Sequence, residues 1–525
     1  MGAIDAQDLT YALPDGRLLL DRASFRVGDG VHAALVGANG AGKTTLLRLI
    51  AGDDRPTSGT ITVEGRLGIM RQFIGGIRDD RTVRDLLVEL APAAVREAAV
   101  RLDRAKRATA ADPSDVNGVR LAKAHAAWGD AGGWEAEIVW NACCTATLRQ
   151  GIDAAGGRLL RELSGGEQKR LAIEALLRGD DDVLLLDEPD NYLDVAGKEW
   201  LADVLRSSRK TVLLVTHDRT LLDEVAATIL TIEGATTWTH GGGFASYGDQ
   251  RAARIARLDE EHRRWHEERR RLKRMLVTYR ERAQYSDTFA SRVRSTTTRL
   301  ERHDASEAPR RVIGQEVQMR LGGGRTGKRV IVAEGLALDG LTQPFDLHVD
   351  AGDRVAVVGS NGTGKSHFLR LLAGGDVRHI GRWLLGAGVV AGHFDQTHDH
   401  PDWLGRRVID LVRRGEGDTG RAMGMLRRYE LDAAADQPFE TLSGGQQARL
   451  QILALEEAGA TLLLLDEPTD NLDLVSAEAL EDALTTFDGT VVAVSHDRWF
   501  VKSFDRFVVF DRDGDVVELD EPVYA

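Results

Sequence analysis

Four short motifs occur twice in this chain, in the same order and at matched spacing, and no other feature restricts its fold so sharply. GANGAGKT begins at Gly37 and GSNGTGKS at Gly359; LSGGE begins at Leu163 and LSGGQ at Leu442. LLLDEP begins at Leu184 and again at Leu463, and THD at Thr216 is echoed by SHD at Ser495. In both halves 25 residues separate the Leu of LSGG from the Glu of DEP, and 29 separate that Glu from the His. A repeat this long is no solenoid unit, so it marks a duplicated domain. One interval differs. Gln72 to Leu163 spans 91 residues, whereas Gln396 to Leu442 spans 46. The first copy therefore carries about 45 extra residues at about 95–140, rich in Ala, Arg and Leu and broken by DPSD and GDAGGWE. They are expected to form a helical hairpin.

The copies are joined by a segment of different composition, which divides the chain into 1–243, 244–311 and 312–525. Across 251–311 there are 18 Lys and Arg against 10 Asp and Glu, a net +8, so the rest of the −14 chain carries −22. Ile255, Leu258, His262, Trp265, Arg269, Leu272, Leu276 and Tyr279 alternate by three and four, a heptad seam. Phe289, Val293, Thr296, Leu300 and His303 resume it after a break at 284–287. This predicts two antiparallel helices with Trp265 in their shared core. A first helix of about 36 residues would reach roughly 54 Å at 1.5 Å per residue.

The repeated motifs have a chemistry. GANGAGKT lies between the apolar strand HAALV and the helix TTLLRLIAG, the context of a phosphate loop. Its nucleotide-binding candidates are Gly37, Asn39, Gly40, Gly42, Lys43, Thr44 and Thr45; those of the second loop are Gly359, Asn361, Gly362, Gly364, Lys365, Ser366 and His367. The glycines let backbone N–H groups close around phosphates, and the helix N-terminus adds a favourable dipole. Lys43 and Lys365 would reach the β- and γ-phosphates, with Thr44 and Ser366 on magnesium. Gly322–Lys328 also satisfies GxxxxGK, but Arg329 replaces the hydroxyl residue and no buried strand precedes it, so a loop is expected. The runs ending in Asp187–Glu188 and Asp466–Glu467 read as buried parallel strands delivering carboxylates at their C-terminal ends. Asp187 and Asp466 would hold the magnesium shell, and Glu188 and Glu467 would polarise the attacking water. The LSGG motifs start helices at Ser164, Gly165 and Gly166, and at Ser443, Gly444 and Gly445, further anion sites of the helix N-terminal kind.

A chain with two phosphate loops and two such helix starts resembles an ATP-binding cassette pair, over nearly its whole length. The resemblance implies an α/β fold of two tandem P-loop NTPase cassettes and an ATPase that forms ADP and phosphate. It also implies two ATP–Mg2+ sites, each closed by the signature of the opposite half. Site one would combine Lys43, Thr44, Gln72, Asp187, Glu188 and His217 with Ser443 and Gly445. Site two would combine Lys365, Ser366, Gln396, Asp466, Glu467 and His496 with Ser164 and Gly166. Gln72 and Gln396 join the magnesium ligands, and His217 and His496 the catalytic set, on that resemblance. Tyr11, 26 residues before Gly37, matches the family's adenine-stacking aromatic, for which GLALDGLTQ of the second half offers none. After DEP the halves read DNYLD and TDNLD where the ribosome-associated subfamily of such proteins usually has TNHLD, though Asp194 and Asp473 remain.

No apolar run approaches the 18–20 residues of a membrane span, and MGAIDAQDLTY has no signal-peptide pattern. Cys143 and Cys144 are adjacent and expected to be packed; they make no zinc knuckle or disulfide framework. A cytoplasmic location is expected. His393, Asp395, His398 and His400 bunch beside Gln396, but no second group completes a metal site. Two cassettes fused through a basic helical linker, GDAGGWEAE before LSGGE, and SRVRSTTTRLERHD late in the linker resemble the ABC-F family of ribosome-associated ATPases. That family includes translation factors and antibiotic-resistance (ribosomal protection) factors. It implies a monomer whose cassettes pair within the chain and whose linker contacts rRNA and peptidyl-tRNA. Arg269, Arg270, Arg271, Lys273, Arg274, Arg280 and Arg282 cluster toward the tip, where RNA phosphates would be met. The short tip favours a translation factor. The alternatives are a transporter ATPase with separate membrane subunits, which would not need an Arg-rich hairpin, and a DNA-bound repair ATPase. The latter would require zinc modules or very long coiled coils.

Overall fold

The computed structural model describes residues 2–283, 287–306, 308, 317–396, 400–415 and 417–521. The sequence repeat becomes a repeat of sheets. In the first cassette, strands run in the order Leu67–Met70, Val183–Asp187, Thr211–Val215, His32–Gly37, Thr228–Glu233, Thr236–Gly241, with only the last antiparallel to its neighbour. In the second, the order is Ala391–Phe394, Leu462–Asp466, Thr490–Val494, Arg354–Gly359, Arg506–Phe510, Val516–Leu519, again with one antiparallel end. Val183–Asp187 and Leu462–Asp466 are buried at every residue, which is why they read as unbroken apolar runs. A three-stranded antiparallel layer (Leu18–Val27, Ala3–Ala12, Ser58–Glu64) joins the first sheet, and Phe345–Asp350, Arg329–Leu338, His379–Leu385 the second. The two layers share a bulge: Asp8 and Gly335 both take left-handed backbone, at φ 47° and 56°. These are the two tandem α/β cassettes expected from the motifs. Residues 322–327 carry no regular structure and lead into Arg329–Leu338, as a loop reading of the GxxxxGK match requires.

Before its signature the first cassette has three helices where the second has the single helix Thr419–Arg428. Helices Ala93–Ala111 and Asp115–Asp130 turn at Asp112–Pro113, where the residue before proline is held extended (φ −144°). A third helix, Gly133–Leu148, follows after only Ala131 and Gly132, the latter at φ 82°. The Gly pair that reads as a break is a tight turn. The third helix forms because Trp140, Cys143, Cys144 and Leu148 bury themselves in the first cassette's core. Burial pushes the Cys143 and Cys144 thiols up to about 12 and about 11, so both remain protonated packing groups.

The linker is two helices, Tyr247–Ala283 of 37 residues and Asp287–Ala305 of 19. The 37-residue helix is roughly 55 Å long. Leu272 and Leu276 are buried in the seam. Trp265 Nε1 donates to Ser306 Oγ at 3.2 Å, Arg269 pairs with Asp304 at 2.7 Å, and Tyr279 meets Phe289 with ring centres 6.0 Å apart. Those pairings run antiparallel. The break at 284–286 and the boundary at 311 lie outside the described residues.

Candidate active site

Each phosphate loop leaves the C-terminal end of a central parallel strand and runs straight into a helix, Lys43–Ala51 or Lys365–Leu372. Glycine is needed twice over. A Cβ on Gly37 would lie 2.7 Å from Ile232 O and one on Gly359 would strike Phe510 O, while Gly40, Gly42, Gly362 and Gly364 have φ between 78° and 104°. Lys43 Nζ donates to Gly37 O (2.7 Å) and Ala38 O (3.2 Å); Lys365 Nζ donates to Gly359 O and Ser360 O, both at 2.7 Å. The two ammonium groups are buried, which lowers their pKa values against the pull of nearby carboxylates. Thr45 and His367 occupy the first helical turns, His367 exposed.

The carboxylates stand opposite. Ser366 Oγ donates to Asp466 Oδ1 at 3.1 Å, and the Thr44 hydroxyl stands near Asp187 at the equivalent place. Burial and then the adjacent glutamate push Asp187 up to about 6 and Asp466 up to about 7. Glu188 and Glu467 each sit just past a strand end in left-handed backbone, at φ 51° and 48°. Non-glycine residues adopt that conformation at a cost of order 1–3 kcal/mol, and such strain collects at functional sites. Nothing in the local sequence signals it.

The two glutamates are held differently. Glu188 Oε2 accepts from Gln72 Nε2 and from Asn191 Nδ2, both at 2.8 Å. Glu467 Oε2 instead accepts from the backbone N–H of His496 at 2.9 Å, and burial raises its pKa. Gln396 Nε2 donates to Asp470 Oδ2 at 3.0 Å, not to Glu467. The cause is the loop after DEP, where Asp470 stands at the position of Asn191. Burial, then the phosphate-loop lysines, lower both His217 and His496 to about 3, so these imidazoles are neutral. His496 Nε2 lies 3.0 Å from Asn361 Oδ1. Among the described residues, buried atoms without a protein partner include Asp187 Oδ1, Glu467 Oε1, both ring nitrogens of His217 and Nδ1 of His496. Buried polar atoms are nearly always partnered. A set of carboxylate and imidazole atoms left open beside a phosphate loop fits a bound nucleotide and its cation.

The signature of each half faces the phosphate loop of the other. Ser164 and Ser443 cap helices Gly165–Arg178 and Gly444–Ala458 in reciprocal capping boxes with Glu167 and Gln446. Asn39 of the first loop donates its backbone N–H to Asp473 Oδ2 (3.0 Å) and its side chain to Asn471 O (3.1 Å), and a Cβ on Gly445 would strike that side chain. Across the other face, Asn361 Nδ2 donates to Tyr192 O at 3.4 Å. A cavity of about 780 Å3 there is lined by Ser164, Gly165 and Gly166 from one cassette and Asn361, Gly362, Gln396 and His496 from the other. Gly444 packs on the Asn471 side chain. In the first half the corresponding residue is Tyr192, at φ 69°, whose ring lies against Gly75 and Gly165. The fold thus sets Asn39 against Asn471 and Gly445, and Asn361 against Tyr192.

Tyr11 is half-buried on the strand Ala3–Ala12, three residues past the bulge; the position three past the second bulge is Leu338, which is buried. His393 is half-buried, Asp395 and His400 lie near the same loop, and His398 falls outside the described residues. Among the described residues no group of three or more His, Cys, Asp or Glu could hold a metal ion by itself. None of the described helices is long and apolar enough to cross a membrane.

Three comparisons bear on this geometry. The family described as ABC transporter matches residues 20–191 and 342–470, more than half of the chain. A protein of Mycobacteroides abscessus named antibiotic resistance protein is 50% identical over 552 residues, with 100% of both chains covered. The tylosin resistance ATP-binding protein TlrC of Streptomyces fradiae is 32% identical, with 92% of this chain and 93% of that protein covered. Among solved structures, an archaeal ribosome recycling factor, aABCE1, in complex with the stalk protein aP1, has a TM-score of 0.56 at 18% identity. The match covers 98% of this chain and 89% of that one, a likeness of fold. With two ATP-binding cassettes, a helical linker between them and relatives that match nearly its whole length, the chain belongs to the ABC-F family of ATP-binding cassette ATPases.

Proposed function

We propose that this ATPase sandwiches two ATP molecules between its cassettes and uses their closure to set the angle of a basic linker on the ribosome, as an antibiotic-resistance factor. The observation that carries the reading is the linker itself. A helix of 37 residues bearing Arg270, Arg271, Lys273 and Arg274 on exposed positions projects from an otherwise acidic molecule. An acidic body is repelled by RNA, so an Arg-rich hairpin is the element RNA would hold, by phosphate and shape. The resistance branch is preferred over the translation-factor branch because the full-length relative at 50% identity and TlrC both carry resistance in their names. The tip, on which the opposite preference rests, includes 284–286, outside the described residues.

At each site Lys43 or Lys365 would swing from the loop carbonyls to the phosphates, and Glu188 or Glu467 would orient water. Magnesium, held through Thr44, Gln72 and Asp187 or Ser366, Gln396 and Asp466, would neutralise phosphate charge. The neutral His217 and His496 would hydrogen-bond the γ-phosphate rather than pair with it as cations. Expression of the chain in a susceptible host should raise the inhibitory concentration of at least one ribosome-directed drug in a panel that includes tylosin. An unchanged panel, with ribosome binding intact, would return the protein to the translation-factor branch.

The two sites should differ at the base. Tyr11→Ala should weaken nucleotide binding at site one by about 1–3 kcal/mol, the usual worth of an aromatic ring on a base. Site two, with Leu338 in that place, should be unchanged. Labelled nucleotide titrated into single-site variants separates the two, and equal weakening would contradict the assignment of Tyr11.

A further inference from the structure

Around the loop after DEP, three buried charged residues of the first cassette have uncharged counterparts in the second. Asp190 stands where the second cassette has Thr469, Lys169 where it has Ala448, and Lys198 where it has Ala477. Lys169 stays within its cassette, donating to Glu188 O at 2.7 Å. Lys198 crosses the interface. Its Nζ lies 3.0 Å from Asp218 Oδ2 and 3.5 Å from the carbonyl oxygen of His496, in the other cassette. Asp190 of its own side and Asp470 and Asp497 of the other side add to the acidic field around it. Among the described residues, two arginines form ion pairs across this interface as a repeat-related pair, Arg219 on Glu481 and Asp497, and Arg498 on Glu199 and Glu224. Lys198 has no such twin.

We infer that Lys198 is a positioning residue for hydrolysis at site two, holding the His496 segment across the interface and offsetting carboxylates from both cassettes whenever the cassettes close. The inference rests on the reading that ATP closes them. An ammonium and several carboxylates brought together out of water are favourable only as a set, and removing one partner leaves uncompensated buried charge. Burial alone would discharge the lysine; Asp218, then Asp470, Asp190 and Asp497, hold its pKa above the ordinary value. The His496 segment it touches also carries the N–H that fixes Glu467, so the contact reaches the water-orienting group through the backbone of one residue. Asp190 and Lys198 therefore belong together, as Thr469 and Ala477 do in the second cassette.

The test compares the intact chain with Lys198→Met and with Lys198→Ala/Asp190→Thr, which installs the second cassette's own pair. Closure is read from donor and acceptor dyes on the two cassettes, titrated with a non-hydrolysable ATP analogue. Lys198→Met should need roughly 100-fold more analogue to close, the scale of breaking a buried ion pair. Its nucleotide-free melting temperature should hold, because the open form hydrates the acids. The double variant should recover most of the loss. In a Glu188→Gln background, where site two alone turns over, Lys198→Met should lower kcat more than it does in a Glu467→Gln background. Closure of Lys198→Met at the unsubstituted protein's analogue concentration would overturn the inference. So would a nucleotide-free melting loss in Lys198→Met that the double variant does not repair. If the unsubstituted chain itself fails to close on the analogue, the sandwich reading fails, a result distinct from equal closure by both.

Discussion

Glu188→Gln/Glu467→Gln should stop ATP turnover while leaving ATP bound. Each glutamate stands beside a buried aspartate at the end of a central strand, where, on the proposed mechanism, the phosphate loop would supply the binding and the carboxylate the water's orientation. A glutamine keeps the shape of the side chain but cannot accept a proton or hold water in the same way. The loss should be roughly 100-fold or more, the range of general-base contributions. The single variants should not be equivalent. Glu188 is held by two side-chain amides, Gln72 and Asn191, while Glu467 is held by the His496 peptide N–H. In Glu188→Gln the new amide faces two other amides, so site one should also lose its local hydrogen-bond order. Phosphate release by single and double variants, beside equilibrium binding of ATP, checks this. Turnover by the double variant at the unsubstituted rate would remove both glutamates from the mechanism.

Much of this was legible in the sequence because the repeat acts as an internal control. The phosphate loops, the buried strands ending in Asp187 and Asp466, and the capped signature helices follow from local patterns that need no tertiary context. The linker seam also survives, with Leu272 and Leu276 buried where the heptad puts them. The start of helix Gly133–Leu148 escapes a sequence reading because Gly132–Gly133 looks like a break, although only a turn separates it from its neighbour. The left-handed backbone at Glu188, Tyr192 and Glu467 has no local signature, since tertiary packing imposes it. Cross-cassette hydrogen bonds such as Asn39 to Asp473 involve residues 434 apart, beyond any periodicity. Lys198 is an intermediate case: its departure from Ala477 is visible in the repeat, but its acidic neighbours Asp470 and Asp497 come to it only from the other cassette.

Removal of the linker tip should have the largest effect on the proposed ribosomal role. The helices are held to each other by a short apolar seam and by pairs such as Arg269 with Asp304, while Arg270, Arg271, Lys273 and Arg274 remain on exposed positions. Deleting 263–294 and bridging the helices should abolish ribosome association and leave the cassettes folded, because their cores lie in the sheets. Reversing the charge of Arg270, Arg271 and Arg274 should weaken binding in part. It should also flatten its salt dependence, by about 0.7–0.9 in the log–log slope for each phosphate that is no longer neutralised. ATP should be required, since a ligand moves a two-state element only through its preference for one state, here the closed cassettes. The most direct measurement is co-sedimentation of Glu188→Gln/Glu467→Gln with ribosomes, with and without residues 263–294, with and without ATP, over a salt series. The account predicts ATP-dependent, salt-sensitive binding that disappears with the hairpin. Full ATP-dependent binding without the hairpin would contradict the linker's role, and no binding by the intact double variant would contradict a ribosomal target altogether.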